Sequence, residues 1–155
     1  LLLGLVAAIA IVWAAVGRVL ALREKNRFMT TTRLSIMDKE VQKACRYVER
    51  HFAEADLTPA SLCEALVTSE PFLEALFERE LGMPVAEFIE QVRINRARIM
   101  LRRDPMIQLS ELSSAVGFVD RDRFCAVFQR ITHAEFEKYR EAVRDGRETS
   151  LDSSR

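Results

Sequence analysis

The sequence predicts an all-α protein with two helix-turn-helix subdomains bridged by a long helix and preceded by one transmembrane helix. Three observations predict it. Leu62, Ala65 and Leu66 match Leu112, Ala115 and Val116 at an offset of 50, and Ser69, Leu73 and Phe77 match Asp120, Phe124 and Phe128 at an offset of 51. Apolar residues recur at helical spacing through the middle of the chain, with no strand pattern of useful length. The run Leu1 to Gly17 carries no charge, and Val19 to Leu22 extends it with only Arg18 intervening.

Residues 1–22 read as the membrane span. At 1.5 Å per residue they reach about 33 Å, enough for a hydrocarbon layer of about 30 Å, and Arg18 stands near enough to the end to snorkel. A cleaved signal peptide would carry its positive charges ahead of the apolar run, not after it. The flank holds Arg18, Arg23, Lys25, Arg27 and Arg33 against Glu24. By the positive-inside rule this places a single-pass protein in the bacterial inner membrane, its C-terminal domain in the cytoplasm and residues 1–22 in the lipid bilayer. The chain lacks an initiator Met, so a fragment of a longer protein is expected.

Residues 23–38 read as a polar juxtamembrane linker. A first helix starts near Asp38, with Val41, Ala44, Cys45, Val48 and Phe52 on one stripe. Thr58 followed by Pro59 is an N-cap with Pro at the first helical position, opening a helix to about Leu66. Ser69 is positioned to cap the next, with Phe72, Leu73, Leu76, Phe77 and Leu81 as its buried face and Gly82 where a terminating glycine belongs. From Pro84 to Arg103 runs the bridge, whose inner face is Val85, Phe88, Ile89, Val92, Ala97, Met100 and Leu101. Its length of about 30 Å is close to the 34–36 Å between successive major-groove faces of DNA. Ser110 is expected to cap a helix to Val116, Gly117 to allow a left-handed turn, and Asp120 to cap a helix through Ile131. A last helix covers Phe136 to Arg144, and residues 145–155 read as a disordered tail. The folded domain is thus 39–144.

Charge narrows the function. Lys plus Arg and Asp plus Glu both number 23, but the distribution is uneven. Residues 57–82 carry Glu64, Glu70, Glu74, Glu78 and Glu80 against Arg79, whereas 83–104 carry Arg93, Arg96, Arg98, Arg102 and Arg103 against Glu87, Glu90 and Asp104. Cys45, Cys63 and Cys125 are far apart and odd in number, which fits reduced thiols. His51 and His133 are isolated. No metal site, cofactor, or nucleophile–base pair of an enzyme is expected. Two helix-turn-helix units joined by one helix suit the reading of two segments of double-stranded DNA.

The stretch from about Lys39 to Arg140 resembles the C-terminal double helix-turn-helix domain of the AraC/XylS transcription regulators. Gly82, Phe88, Arg93 and Ala97 are similar to the family pattern after the first recognition helix. Gly117–Phe118, Asp120, Phe124, Phe128 and Tyr139–Arg140 are similar to its hallmark. The resemblance implies a DNA-binding regulator, and an upstream membrane span is similar to a variant in which an extracytoplasmic sensor is fused to this domain. That sensor would be missing from this chain. The family's closing Gly-x-Thr/Ser-Pro is replaced at His133, Glu135 and Phe136, at an expected local cost of about 1 kcal/mol. Ala75, Glu78 and Ala126 stand where the family commonly has Arg, Lys and Arg.

The second recognition helix then presents Arg121, Asp122, Cys125, Ala126 and Gln129, with Arg123 on its surface. Arg121 and Gln129 have the donors and acceptors for guanine and adenine edges. The first presents Glu70, Pro71, Glu74, Ala75 and Glu78, whose carboxylates repel phosphate. Arg93 on the bridge has two readings, a phosphate contact or a structural tie. The DNA-binding candidates are therefore Arg121, Asp122, Arg123, Cys125, Gln129, Glu70, Glu74 and Arg93. Two readings stay open: a membrane-anchored, sequence-specific regulator, with a homodimer raising effective concentration at a double site, or a module that lost DNA affinity and binds another protein.

Overall fold

A computed structural model describes residues 38–146. The expected membrane span over 1–22, the linker up to residue 37 and the tail from residue 147 lie outside the described residues. The described part contains seven helices: α1 Lys39–His51, α2 Pro59–Leu66, α3 Glu70–Leu81, α4 Val85–Arg103, α5 Leu109–Ala115, α6 Arg121–Thr132 and α7 Phe136–Arg144. Among the described residues no helix is long and apolar enough to cross a membrane. The longest, α4, carries Glu87, Glu90, Arg93, Arg96 and Arg98 along its middle, charges that hydrocarbon would not tolerate.

Local chemistry explains most helix ends. Asp38 accepts from the N–H of Glu40 at 2.9 Å and opens α1. Thr58 and Ser61 form a reciprocal capping box, each side chain accepting from the other's backbone N–H at 3.2 and 2.9 Å, and Pro59 follows. Asp120 accepts from the N–H of Asp122 at 2.9 Å and opens α6. Two expected caps are corrected. Ser69 stands at the N-cap of α3 without a side-chain hydrogen bond, and Gln108, not Ser110, precedes α5. His133 takes the left-handed position that closes α6, at φ 59°, and its N–H donates to the carbonyl of Gln129.

Two apolar cores form, one in each half. In the first, Val41, Val48, Leu62, Leu73, Phe77 and Val85 are fully or almost fully buried, and the rings of Phe77 and Phe88 meet edge to face at 5.4 Å. In the second, Phe118, Phe124, Phe128, Phe136 and Tyr139 pack edge-on with Ile94, Leu101 and Leu112. Phe77 and Phe128 occupy equivalent places, both 0% exposed. Phe72 departs from expectation at 50% exposed, whereas Leu57 and Met83, from the loops, are buried. The bridge α4 packs on both cores with different faces. That is why Ile94 and Gln91 are buried beside the expected inner residues.

One side chain fastens the halves. Arg93 is 7% exposed. Its Nε donates to the carbonyl of Phe52 at 2.9 Å, and an Nη donates to those of Glu54 at 2.7 Å and Leu57 at 3.5 Å. Its Cζ lies 5.5 Å from the centre of the Phe118 ring. The loop after α1 is thereby tied to the turn of the second unit. Gly117 lines this junction at φ 84°; a Cβ there would lie 2.5 Å from the Phe52 oxygen and 3.0 Å from Arg93 Nε. The matching position in the first unit is Val67, also left-handed at φ 54° but 93% exposed.

Two outcomes follow for stability. Truncating either equivalent phenylalanine, Phe77→Ala or Phe128→Ala, is expected to cost roughly 3–5 kcal/mol in urea unfolding; a loss under about 1 kcal/mol at Phe128 would contradict its place in the core. The two left-handed turn positions should respond oppositely. Gly117→Ala adds a clash to a left-handed strain of about 1–2 kcal/mol, so its unfolding midpoint drops. Val67→Gly relieves strain in open solvent and is expected to be neutral or stabilising by up to about 1 kcal/mol.

Candidate nucleic-acid interface

The two halves each bring one exposed helix face to the surface, α3 and α6, and both helices pack on α4. Their chemistry differs. On α6, Arg121, Asp122, Ala126 and Gln129 are exposed, and Cys125 is half-buried between them. Arg121 makes no ion pair among the described residues. The exposed face of this helix thus offers a guanidinium, a carboxylate and a carboxamide within about two and a quarter turns, a mixed donor and acceptor set of the kind that distinguishes base edges in the major groove. Burial, then the charges of Asp122 and Glu137, raise the Cys125 thiol above its ordinary value against the pull of Arg121. It stays neutral at pH 7 and presents a small apolar surface.

On α3 the acidic face is partly occupied by structure. Glu74 is half-buried, and its Oε2 accepts from the backbone N–H of Val85 at 3.1 Å. Val85 is the first residue of α4, and the residue before it is Pro84, which has no side-chain acceptor to cap with. Glu74 therefore supplies both the missing acceptor and a negative charge at the positive end of the bridging helix. Glu70 and Glu78 remain exposed. Arg79, the basic residue of α3, is held by Glu80 at 2.9 Å and lies 3.8 Å from Asp38.

Arg93 is buried inside the domain. Its donors face backbone carbonyls inside the domain, so the structural tie is the reading its geometry fits. Burial, then the charge of Arg123, lower its pKa, with Glu90 opposing; an arginine remains charged at neutral pH regardless. Of its neighbours on the bridge, Arg96 is exposed over the Phe52 ring at 5.3 Å, and Arg98 Nε donates to the Tyr139 hydroxyl at 2.8 Å.

Arg123 is exposed but not idle. Its Nη2 lies 3.3 Å from Oε1 of Glu90 on α4, and Arg130 Nη2 bonds the other oxygen, Oε2. Neither Glu90 nor Arg130 was singled out by the sequence reading. The available signal was the seven-residue spacing of Arg123 and Arg130, which puts both on one side of α6. Among the described residues no group of three or more His, Cys, Asp or Glu side chains could hold a metal ion.

Comparisons with known proteins bear on the fold and the family. A family profile described as a helix-turn-helix domain matches residues 62–142. The arabinose operon regulatory protein of Escherichia coli (strain K12) is 32% identical over 104 residues, covering 67% of this chain and 35% of that protein. The HTH-type transcriptional activator RhaR of Salmonella schwarzengrund is 30% identical over 121 residues, covering 75% and 41%. The chain spans between a third and about two-fifths of the length of these curated relatives. Among solved structures, the C-terminal domain of AraT, a response regulator from Geobacillus stearothermophilus, superposes with a TM-score of 0.66 at 24% identity, covering 69% of this chain and 88% of that one. The C-terminal domain of the response regulator yesN from Fusobacterium nucleatum gives 0.61 at 22% identity, covering 66% and 99%. At these identities the structures show the fold.

The expected single-pass placement in the bacterial inner membrane, with the lipid bilayer as partner, is corrected. The matched relatives are named as an operon regulatory protein and a transcriptional activator, and no described helix is long and apolar enough to cross a membrane. With its helix-turn-helix match covering residues 62–142 and its seven helices in the order that the apolar spacing predicts, the chain belongs to the AraC-type helix-turn-helix family.

Proposed function

We propose that this protein regulates transcription by binding double-stranded DNA with sequence preference, α3 and α6 entering adjacent major-groove segments and α6 supplying most of the base readout. The observation that carries this reading is the exposed apex of α6. Arg121, Asp122 and Gln129 stand there on a helix braced by its own core. The 19 residues of α4 hold α3 and α6 on one support about 28 Å long, on the scale of the 34–36 Å between successive major-groove faces. Support for the asymmetry comes from α3, where Glu70 and Glu78 are exposed and Arg79 is already paired. Carboxylates can accept from cytosine N4 but repel the flanking phosphates. The exposed Arg96 on the bridge is suited to phosphate, which positions the domain without reading sequence.

Titrating the full chain against random and selected duplexes at 50–200 mM salt tests this. Affinity is expected to fall linearly with salt on logarithmic axes, because phosphate contact releases counterions. Arg121→Ala is expected to relax base preference by about 1–3 kcal/mol at one position. Binding that ignores salt, or that is absent at the lowest salt, would overturn the reading in favour of a protein-interaction module.

Glu74 separates stability from recognition. Glu74→Ala removes the acceptor at the start of α4 and is expected to lower stability by about 1 kcal/mol in urea unfolding. The affinity of the folded protein for DNA should hold or improve. A variant of unchanged stability with weakened DNA binding would assign Glu74 to the interface instead.

A further inference from the structure

We propose that Glu90 limits the affinity of this domain for DNA by holding Arg123 and Arg130 in ion pairs, so that these two arginines reach phosphate only by leaving it. The inference rests on the DNA-binding reading above and adds a positioning residue to it.

Glu90 projects from the bridging helix with only 17% of its side chain exposed, and both of its oxygens are taken, Oε1 by Arg123 and Oε2 by Arg130. The two arginines are themselves 68% and 51% exposed. Their stems lie in solvent, their charges rest on an anchored carboxylate, and exposed ion pairs of this kind hold weakly. Arg93 adds a third positive charge to the same corner. Its pKa is lowered partly by Arg123 and raised by Glu90, so Glu90 balances a convergence of guanidinium groups where α4 meets α6.

The position on α6 decides what the pair competes with. Arg121, Asp122, Ala126 and Gln129 form the exposed apex, whereas Arg123 and Arg130, seven residues apart, share the flank toward α4. When a helix lies in the major groove, its apex meets base edges and its flanks border the phosphates. The repeat does not dictate this arrangement. The matching positions on α3 are Phe72 and Arg79, with no flank cation at Phe72 and Arg79 tied within its own half. A flank pair restrained by a bridging-helix carboxylate is a property of the second unit. Because phosphate contact carries no sequence information, release of the pair should strengthen binding to every duplex alike and leave base preference with the apex.

The test uses the full chain and Glu90→Gln, which keeps the shape and removes the charge. Random and preferred duplexes should both bind about three- to tenfold tighter near 0.1 M salt, and the slope of log affinity against log salt should steepen by up to about 1–2, at 0.9 per phosphate contact, because the arginines that Glu90 releases only in part in the wild-type complex engage fully. The steepening should vanish when Arg123→Gln and Arg130→Gln are added. A role in packing alone would lower the urea midpoint without moving the slope. Should the variant fold poorly, the wild-type chain provides the second measurement, since the Nε–Hε resonances of Arg123 and Arg130 should shift when random duplex is added. A slope unchanged in Glu90→Gln, or arginine resonances indifferent to duplex, overturns the proposal while leaving salt-dependent DNA binding in place. Wild-type binding that is absent or independent of salt removes the DNA-binding reading itself, and this inference with it.

Discussion

The arrangement of the two halves depends on the burial of one guanidinium. Arg93 is charged, almost enclosed, and satisfied by main-chain carbonyls of Phe52, Glu54 and Leu57 rather than by a carboxylate. A buried arginine left without acceptors would be severely destabilising, so the loop after α1 is constrained to bring its carbonyls to that point. The same loop delivers Phe52 against the second core, and the Phe118 ring covers the guanidinium from the other side. Gly117 completes the junction because no side chain fits between the Phe52 oxygen and Arg93. The relative placement of α3 and α6, on which any two-site reading of a duplex rests, therefore depends on this junction together with the two buried faces of the bridge.

Charge on the candidate interface is shaped by the demands of the fold. Glu74 lies on the acidic first unit but acts at the start of α4, where Pro84 leaves the helix without a capping side chain. Glu90 lies on the basic bridge and partners two arginines of α6. Both carboxylates sit in positions where a count of charges along the chain would read them as plain surface. Their engagement leaves Glu70 and Glu78 as exposed acids of α3, with Arg121 and Gln129 exposed on α6. The asymmetry between the two recognition helices is thus less a matter of net charge than of which charges already have partners.

Much of the fold was legible in local sequence. The repeat placed Phe77 and Phe128 in equivalent core positions, and both are fully buried. Asp38, Thr58 with Pro59, and Asp120 mark helix starts because a short side-chain oxygen can satisfy an N–H that the helix leaves open. Ser69 and Ser110 carry the same chemistry without making the bond, since a nearby hydroxyl does not compel a helix to begin there. Phe72 was misassigned for a comparable reason: helical spacing puts it beside Leu73 and Leu76, but the repeat aligns it with the exposed Arg123. The apolar run at the start of the chain reads convincingly as a bilayer span by length alone, yet length and hydropathy do not identify the surroundings of a segment.

By itself the sequence determined the helix content, the two-unit organisation, the capping at three of the helix starts and the family to which the chain belongs. Each of these depends on spacings within one or two helical turns or on a repeat of similar segments, information carried by residues near one another along the chain. Only the tertiary structure decided the roles of Arg93, Glu74 and Glu90. Their partners are separated from them by 36 to 41, 11 and 33 to 40 residues respectively. A guanidinium on a helix surface and one sealed against loop carbonyls look alike in sequence, because a side chain's charge is local and its burial is set by what the rest of the chain brings to it.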